Sequence, residues 1–215
     1  MPSLVRLLVC PMLLAIVAAA APQSGAQPLG SARGADAPGA PPVPPGALRI
    51  VNFTWHAGRA AICAEEPAPA TKQDEPTTRR TRVWVRDGTA IRRVATGPGT
   101  CDPAWSPEGD LLAVAAPDGL WVLSADLRRT THLVDTRHEH DPANEFEYRT
   151  VHRPQWAPDA SALAFVASDG TTSWVEVVDA RTGAQRYASD DGTAEFTWEP
   201  DSRSIRFGAY VIRVP

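Results

Sequence analysis

The sequence lacks the short motifs that mark the common enzyme classes. It contains no Gly-x-Ser-x-Gly nucleophile elbow, no Gly-x-x-x-x-Gly-Lys phosphate loop, no Gly-x-Gly-x-x-Gly dinucleotide motif and no His-Glu-x-x-His metal motif. These absences argue against the enzyme families that carry such motifs, and they leave no cofactor to assign. They do not exclude a catalytic site assembled from residues that are distant in sequence.

Basic residues are too few to suggest binding to nucleic acid. Lys72 is the only lysine, and 21 basic residues face 25 acidic ones, which gives a net charge of −4. A surface that binds nucleic acid needs an excess of positive charge to neutralise phosphates. We therefore expect no nucleic-acid partner.

The longest apolar run lies at the N-terminus. Residues 1–21 join the singly charged stretch MPSLVR to the apolar run LLVCPMLLAIVAAAA, which ends in small residues. This layout is typical of a secretory signal peptide. An uncleaved anchor is the alternative, but Pro11 and the mildly apolar alanines favour cleavage. We expect a periplasmic or extracellular protein with no transmembrane span after cleavage.

The next segment, 22–45, is poor in large apolar residues and rich in alanine, proline, glycine and serine. Such a composition buries too little surface to offset the entropy of ordering, so it predicts a disordered linker. Residues 46–215 remain as one domain of ordinary size.

Cysteine is scarce. Only Cys63 and Cys101 remain after the predicted cleavage. An exported protein can oxidise such a pair, which makes them a candidate disulfide. Two buried free thiols are the alternative, because the sequence does not fix the distance between them.

Tryptophan, by contrast, is abundant and repeats. Four similar stretches begin at or just before a tryptophan, and the tryptophans are spaced 50, 51 and 42 residues apart. Three of these are followed by a proline and an acidic residue, which is typical of a tight turn. The repeated tryptophans are Trp55, Trp105, Trp156 and Trp198, and the turn prolines are Pro107, Pro158 and Pro200.

Each repeat predicts a small antiparallel sheet. Apolar residues lie seven and nine positions after each tryptophan, so they share one face of a strand. A third strand and, in three units, a fourth follow. Four strands in a unit of 40–50 residues match the blade of a β-propeller. The sequence therefore predicts an all-β, propeller-like fold of about four four-stranded units.

The stretches DPAWSPEGDLLAVAAPDGLWVLSAD and RPQWAPDASALAFVASDG resemble the repeats of TolB-like, or WD40-like, β-propellers. The resemblance covers residues 46–215 and is weaker in the first and fourth units, where Ala57-Gly58 and Ser202 depart from the pattern. It implies a propeller fold at the cell envelope. It implies no catalytic residues, because the motif is structural.

Closure of the ring is predicted to depend on the N-terminal strand. The fourth unit supplies three recognisable strands, and GALRIV precedes the first unit as a spare strand. We expect residues 47–51 to complete the fourth sheet as a latch. An open arc, or half a ring that pairs with another chain, is the alternative.

Two long connections are the candidate functional loops, since propellers vary in their loops. Residues 65–80 join two strands of the first unit, and residues 135–153 join the second unit to the third. Both are expected at the same end of the sheets. The second contains His138, His140 and Asp141, side chains that can bind zinc or manganese. A charged, solvated loop without metal is the interpretation that we favour.

The sequence therefore favours an exported, non-enzymatic propeller that binds a protein partner at the envelope, as a monomer or a homodimer. The first alternative is a small-molecule or metal-dependent enzyme, such as a propeller lyase or lactonase with its ligands in the channel. The second is a truncated propeller with little activity of its own.

Overall fold

The computed structural model describes residues 32–33, 39–67, 80–94, 101–136, 149–189, 192 and 195–215. Within these ranges the regular structure is all β, and no helix is long and apolar enough to cross a membrane. The strands are β1 (Ala32–Arg33), β2 (Arg49–His56), β3 (Arg59–Glu66), β4 (Arg80–Asp87), β5 (Ala90–Val94), β6 (Asp102–Trp105), β7 (Leu111–Ala116), β8 (Gly119–Ser124), β9 (Thr130–Asp135), β10 (Thr150–Trp156), β11 (Ala162–Ser168), β12 (Ser173–Asp179), β13 (Gln185–Ala188), β14 (Thr197–Trp198), β15 (Ser204–Phe207) and β16 (Tyr210–Arg213).

The strands form four antiparallel sheets, each built from consecutive strands. The first sheet has the order β1-β2-β3-β4-β5, the second β6-β7-β8-β9, the third β10-β11-β12-β13 and the fourth β14-β15-β16. The predicted all-β architecture of about four antiparallel units is confirmed. The extra strand of the first sheet, β1, pairs with the free edge of β2.

Apolar residues seven positions after each repeated tryptophan form the centre of each sheet. They are fully buried, because three of them face the preceding sheet and the one in the first sheet lies in the cluster that Ala40 and Ala47 pack against. These residues are Ile62, Leu112, Leu163 and Ile205.

The repeated tryptophans join neighbouring sheets. Trp105, Trp156 and Trp198 are buried in the clusters between the first and second, second and third, and third and fourth sheets. The Nε1–H of Trp156 donates to the carbonyl of Ala104 at 3.0 Å, and that of Trp198 donates to the carbonyl of Gln155 at 3.1 Å. In both pairs the acceptor directly precedes the tryptophan of the preceding unit.

Two tryptophans depart from this pattern. The Nε1–H of Trp105 is buried without a hydrogen-bond partner in the described part of the chain, although the Arg59 guanidinium lies 4.8 Å from its ring centroid. Trp55 has no preceding sheet and is 40% exposed, and it donates instead to the carbonyl of Gly39 at 2.9 Å.

Residues 39–47 cover the outer face of the first sheet. Pro41 and Pro44 are buried, and Ala40 and Ala47 pack against the cluster around Phe53. The structure therefore describes residues on both sides of residue 46, where the sequence analysis places the start of the domain. Residues 1–31 and 34–38, which include the predicted signal peptide, lie outside the described residues.

The predicted latch is wrong. Residues 49–51 begin β2, where Arg49 pairs with Glu65 and Ile50 with Ala64 of β3. They extend a hairpin that has already formed, which adds no further cost of loop closure. They therefore complete the first sheet and leave the fourth with three strands in the described part of the chain.

The fourth sheet presents a partly polar face away from the third, where Arg206 pairs with the half-exposed Val211 of β16. Eight positions after the repeated tryptophan, the first three units place Cys63, Ala113 and Ala164, all fully buried against the next sheet. The fourth places the exposed Arg206 there, paired with Glu199 at 2.6 Å. Among the described residues no hydrophobic cluster joins the fourth sheet to the first.

Candidate interaction surface

The two long connections leave the same edge of the stack, which we call the loop edge. It contains the end of β3, the start of β4, the end of β9 and the start of β10. The pairing registers place these strand ends beside the starts of β2 and β6, because Arg49 faces Glu65, Asp102 faces Ala115 and Thr150 faces Ser168. Residues 68–79 and 137–148 within the connections lie outside the described residues.

Asp102 ties three sheets together at the centre of this edge. Its Oδ1 accepts a hydrogen bond from the Asn52 side-chain amide at 2.6 Å, and its Oδ2 accepts one from the Arg153 backbone N–H at 2.9 Å. Arg153 has a φ of 52°, which is uncommon for a residue with a side chain, and it lies in a register shift of β10. The carboxylate thus links the starts of β2, β6 and β10.

His152 lies beside the same carboxylate. Its Nδ1 is 3.9 Å from Oδ2 of Asp102, and its Nε2 is 3.1 Å from the Thr150 hydroxyl. Within the described ranges no group of three or more His, Cys, Asp or Glu side chains is arranged to hold a metal ion. The geometry of Asp102 and His152 is therefore that of a brace between strands.

A disulfide braces the edge next to Asp102. Cys63 in β3 and Cys101, which directly precedes β6, are bonded with their Cα atoms 5.8 Å apart. Both are buried, with exposures of 0% and 2%. The bond links the first sheet to the second at the level where the first long connection leaves β3.

Ion pairs hold the residues that flank the connections. Glu66, the last residue of β3, lies 3.2 Å from Arg93 and 3.9 Å from Arg82. Arg149, which precedes β10, donates to the buried carboxylate of Glu176, and Trp174 Nε1 donates to the same carboxylate at 2.6 Å. Ion pairs therefore hold residues on both sides of the first connection and the residue that follows the second.

Arg49 adds a charge pair at the same edge. It donates two hydrogen bonds to Glu65, at 2.8 and 2.7 Å, and the bonded carboxylate raises the pKa of the guanidinium. Since Arg49 is largely exposed, this pair contributes little to stability and serves mainly to order the edge.

The sequence-predicted residues divide into three groups. The turn prolines Pro107, Pro158 and Pro200 are exposed in the β-hairpins on the opposite edge. Three of the repeated tryptophans lie between sheets, and Trp55 is partly exposed on the first sheet. The candidate disulfide lies at the loop edge. The candidate metal ligands His138, His140 and Asp141 lie outside the described residues.

The Asp102 junction was missed at the sequence level, although a signal for it is present. Three positions before each repeated tryptophan the sequence places a polar residue, and the first three of these positions meet in the junction, the first two through their side chains and the third through its backbone N–H. The four residues are Asn52, Asp102, Arg153 and Glu195.

No protein-family model matches the chain, and no curated protein matches its sequence. Solved β-propellers share its fold. An oligogalacturonate lyase in complex with manganese superimposes with a TM-score of 0.51 at 13% identity, over 76% of this chain and 47% of the lyase. The propeller domain of the trilobed protease from Pyrococcus furiosus, described as having an open velcro topology, gives 0.52 at 12% identity, over 73% of this chain and 47% of that domain.

An acylaminoacyl peptidase superimposes with a TM-score of 0.53 at 10% identity, over 73% of this chain and 27% of the peptidase. The chain thus spans less than half the length of each of these proteins. At such low identity the likeness establishes the β-propeller fold and carries no activity over to this chain.

Proposed function

We propose that this chain is an exported, TolB-like β-propeller that binds a protein partner at the cell envelope through its loop edge, without catalysing a reaction. The observation that carries the proposal is the position of the two longest connections. Both leave one edge of the stack, and their flanking residues are held by ion pairs. Variable loops on a rigid scaffold are a common basis for binding.

The rigidity of the edge supports a docking role. The disulfide and the Asp102 hydrogen bonds join the first three sheets directly beneath the connections. A preorganised surface loses less entropy on association than a mobile one. A buried disulfide is also typical of proteins in oxidising compartments, which agrees with the signal peptide proposed for residues 1–21.

The carboxylates of Asp169 and Asp201, which lie in turns, are engaged in structural hydrogen bonds. Asp169 accepts from the backbone N–H groups of Thr171 and Thr172 at 2.8 and 2.7 Å, and Asp201 accepts from that of Arg203 at 2.9 Å. These bonds to the charged form lower the pKa of both carboxyl groups. A carboxylate used in this way is a poor general base, so neither aspartate is a candidate catalytic group.

Affinity capture from envelope extract tests the proposal. The full chain is compared with a variant in which residues 66–79 and 136–150 are shortened, and with a control in which the same residues are scrambled at constant length and composition. A defined protein held by the full chain and lost by both variants is the expected result. Equal recovery by all three folded proteins would refute the loop edge as the binding surface.

A metal is not needed for this proposal. We expect capture to survive treatment with a chelator, because the segment with His138, His140 and Asp141 is interpreted as a charged loop. Capture that is lost with chelator, restored by zinc and absent in a His138→Ala/His140→Ala variant would instead assign a metal site there.

A further inference from the structure

A groove lies between the second and third sheets at the edge opposite to the loop edge. Its volume is about 520 Å³. The floor is apolar and is formed by Leu111, Val122, Ala160 and Ala180, while Arg129 and Arg181 stand on its two sides. The start of β7 and the end of β12 place these residues far from the two long connections.

The groove is open because nothing bridges it, in contrast to the neighbouring junctions. Between the first and second sheets Arg92 donates to the carbonyl of Asp126 at 3.1 Å. Between the third and fourth sheets the N–H of Asp159 donates to the Ser202 hydroxyl at 3.0 Å. Among the described residues that line the groove, no hydrogen bond crosses from one sheet to the other.

Outside the groove lining, the second and third sheets approach each other through a backbone contact. Gly183, in the turn between β12 and β13, approaches β9 so closely that a Cβ there would lie 2.2 Å from the carbonyl oxygen of Leu133. The glycine, with a φ of 73°, allows the turn to rest on the second sheet. The groove therefore has fixed walls.

The charge of the groove is positive. Asp179 is its one acidic residue, and it is neutralised by Arg186, whose Nη2 lies 2.5 Å from Oδ2. That hydrogen bond, together with the Thr182 N–H, keeps the pKa of Asp179 well below its usual range. The guanidinium groups of Arg129 and Arg181 form no hydrogen bond or ion pair in the described part of the chain, so they provide positive charge on opposite walls. Asp126, whose carboxylate accepts a hydrogen bond from the Ser124 hydroxyl, interacts electrostatically with Arg129.

We propose that this groove binds an extended peptide of a partner protein, with an aliphatic side chain on the floor and an Asp or Glu carboxylate between Arg129 and Arg181. An aliphatic floor beside two guanidinium groups matches that pair of side chains, because arginine binds carboxylates through directed N–H donors. The local positive charge on a chain of net charge −4 also selects for an acidic ligand. The inference rests on the proposed function, since it defines a second contact for a protein partner.

The test uses a labelled peptide, Gly-Asp-Leu-Leu-Asp-Gly, and its Asn-for-Asp counterpart, with binding measured by fluorescence anisotropy. We expect the acidic peptide to bind about tenfold more tightly than the amide peptide, in line with the modest worth of solvent-exposed charge pairs. The difference should shrink as salt is raised. Equal binding of the two peptides, or no binding of either at millimolar concentration, would overturn the proposal.

Matched variants locate the site. Arg129→Gln/Arg181→Gln should abolish the preference for the acidic peptide, whereas Arg128→Gln/Arg213→Gln, which removes the same charge at exposed positions outside the groove lining, should preserve it. Thermal unfolding shows that both variants are folded. The assignment would be contradicted if Arg128→Gln/Arg213→Gln alone lost the preference for the acidic peptide, or if both variants kept it. Free glutamate that competes as well as the peptide would show a small-carboxylate site and overturn the peptide proposal.

The loop-shortened variant separates this inference from the proposed function. Peptide binding should persist in that variant, because the groove and the connections lie at opposite edges. Failure to bind peptide with partner capture intact overturns only the groove. If the peptide binds but partner capture does not depend on the two connections, only the proposal that the loop edge binds the partner is overturned.

Discussion

Replacement of two equivalent tryptophans by phenylalanine should give unequal losses of stability. Trp156 and Trp105 occupy the same position in adjacent units and are similarly buried, with exposures of 5% and 7%. The loss of ring volume is therefore nearly the same in Trp156→Phe and Trp105→Phe, and it cancels when the two are compared. What differs is the hydrogen bonding of the indole N–H.

The magnitude follows from the contacts. Trp156→Phe removes a hydrogen bond to Ala104, with a net worth of about 1 kcal/mol. Trp105→Phe removes a buried donor that has no partner among the described residues, which relieves about 1–3 kcal/mol. It also weakens the contact with the Arg59 guanidinium, worth about 0.5–1 kcal/mol. We expect Trp156→Phe to be the more destabilising change by about 1–3 kcal/mol.

Urea unfolding of the oxidised protein, followed by circular dichroism, measures the difference. The slope of unfolding free energy against urea should match between the variants, so that the midpoints report stability alone. If Trp105→Phe costs as much as Trp156→Phe or more, the hydrogen bond between neighbouring sheets does not make the contribution assigned to it.

Three further outcomes are expected. Reduction of the Cys63–Cys101 disulfide, which spans 38 residues, should lower the unfolding free energy by about 4 kcal/mol. Urea unfolding with and without reductant measures this loss, and no change would show that the unfolded chain is not constrained by the bond. Gly109→Ala should destabilise the fold more than Gly58→Ala in thermal melts. Both glycines have a positive φ, but only a Cβ at Gly109 would lie 2.1 Å from the His56 ring, so equal losses would contradict the close contact. Because the pKa of Asp169 is lowered in the folded state, the unfolded state binds more protons in acid, and the unfolding free energy should fall below about pH 4. Asp169→Asn should be less stable than the natural protein at neutral pH, and this difference should shrink below about pH 4; a difference independent of pH would refute the role of Asp169.

The repeat units could be predicted because their signals are local. Alternating apolar residues after each tryptophan define a strand pair with one buried face, whatever the rest of the chain does. The Asp102 junction was predictable in principle from the polar position three residues before each tryptophan. It was missed because only the stacking of sheets shows that these positions meet.

Ring closure could not be predicted because the same strand fits two sheets. Residues 49–51 have an alternation that suits either the fourth sheet or an extension of β2, and the extension is favoured because the hairpin is already formed. The groove was equally hidden, since its two walls come from separate units and are brought together only by the stacking of the sheets. Differences between junctions depend on side chains such as Arg92 and Ser202, which the repeat pattern does not constrain.

The partly polar face of the fourth sheet has a consequence for self-assembly. A stack of similar sheets is a one-dimensional array. If the sheets at both ends exposed complementary apolar faces, molecules could join head to tail into a fibre. Growth is blocked at both ends of the stack. Arg206 blocks it at the fourth sheet, at the position where the second and third sheets have buried alanines, and residues 39–47 block it at the first sheet. After both changes, Arg206→Ala and deletion of 39–47, the particle size measured by light scattering should rise with concentration, whereas either change alone leaves one end capped.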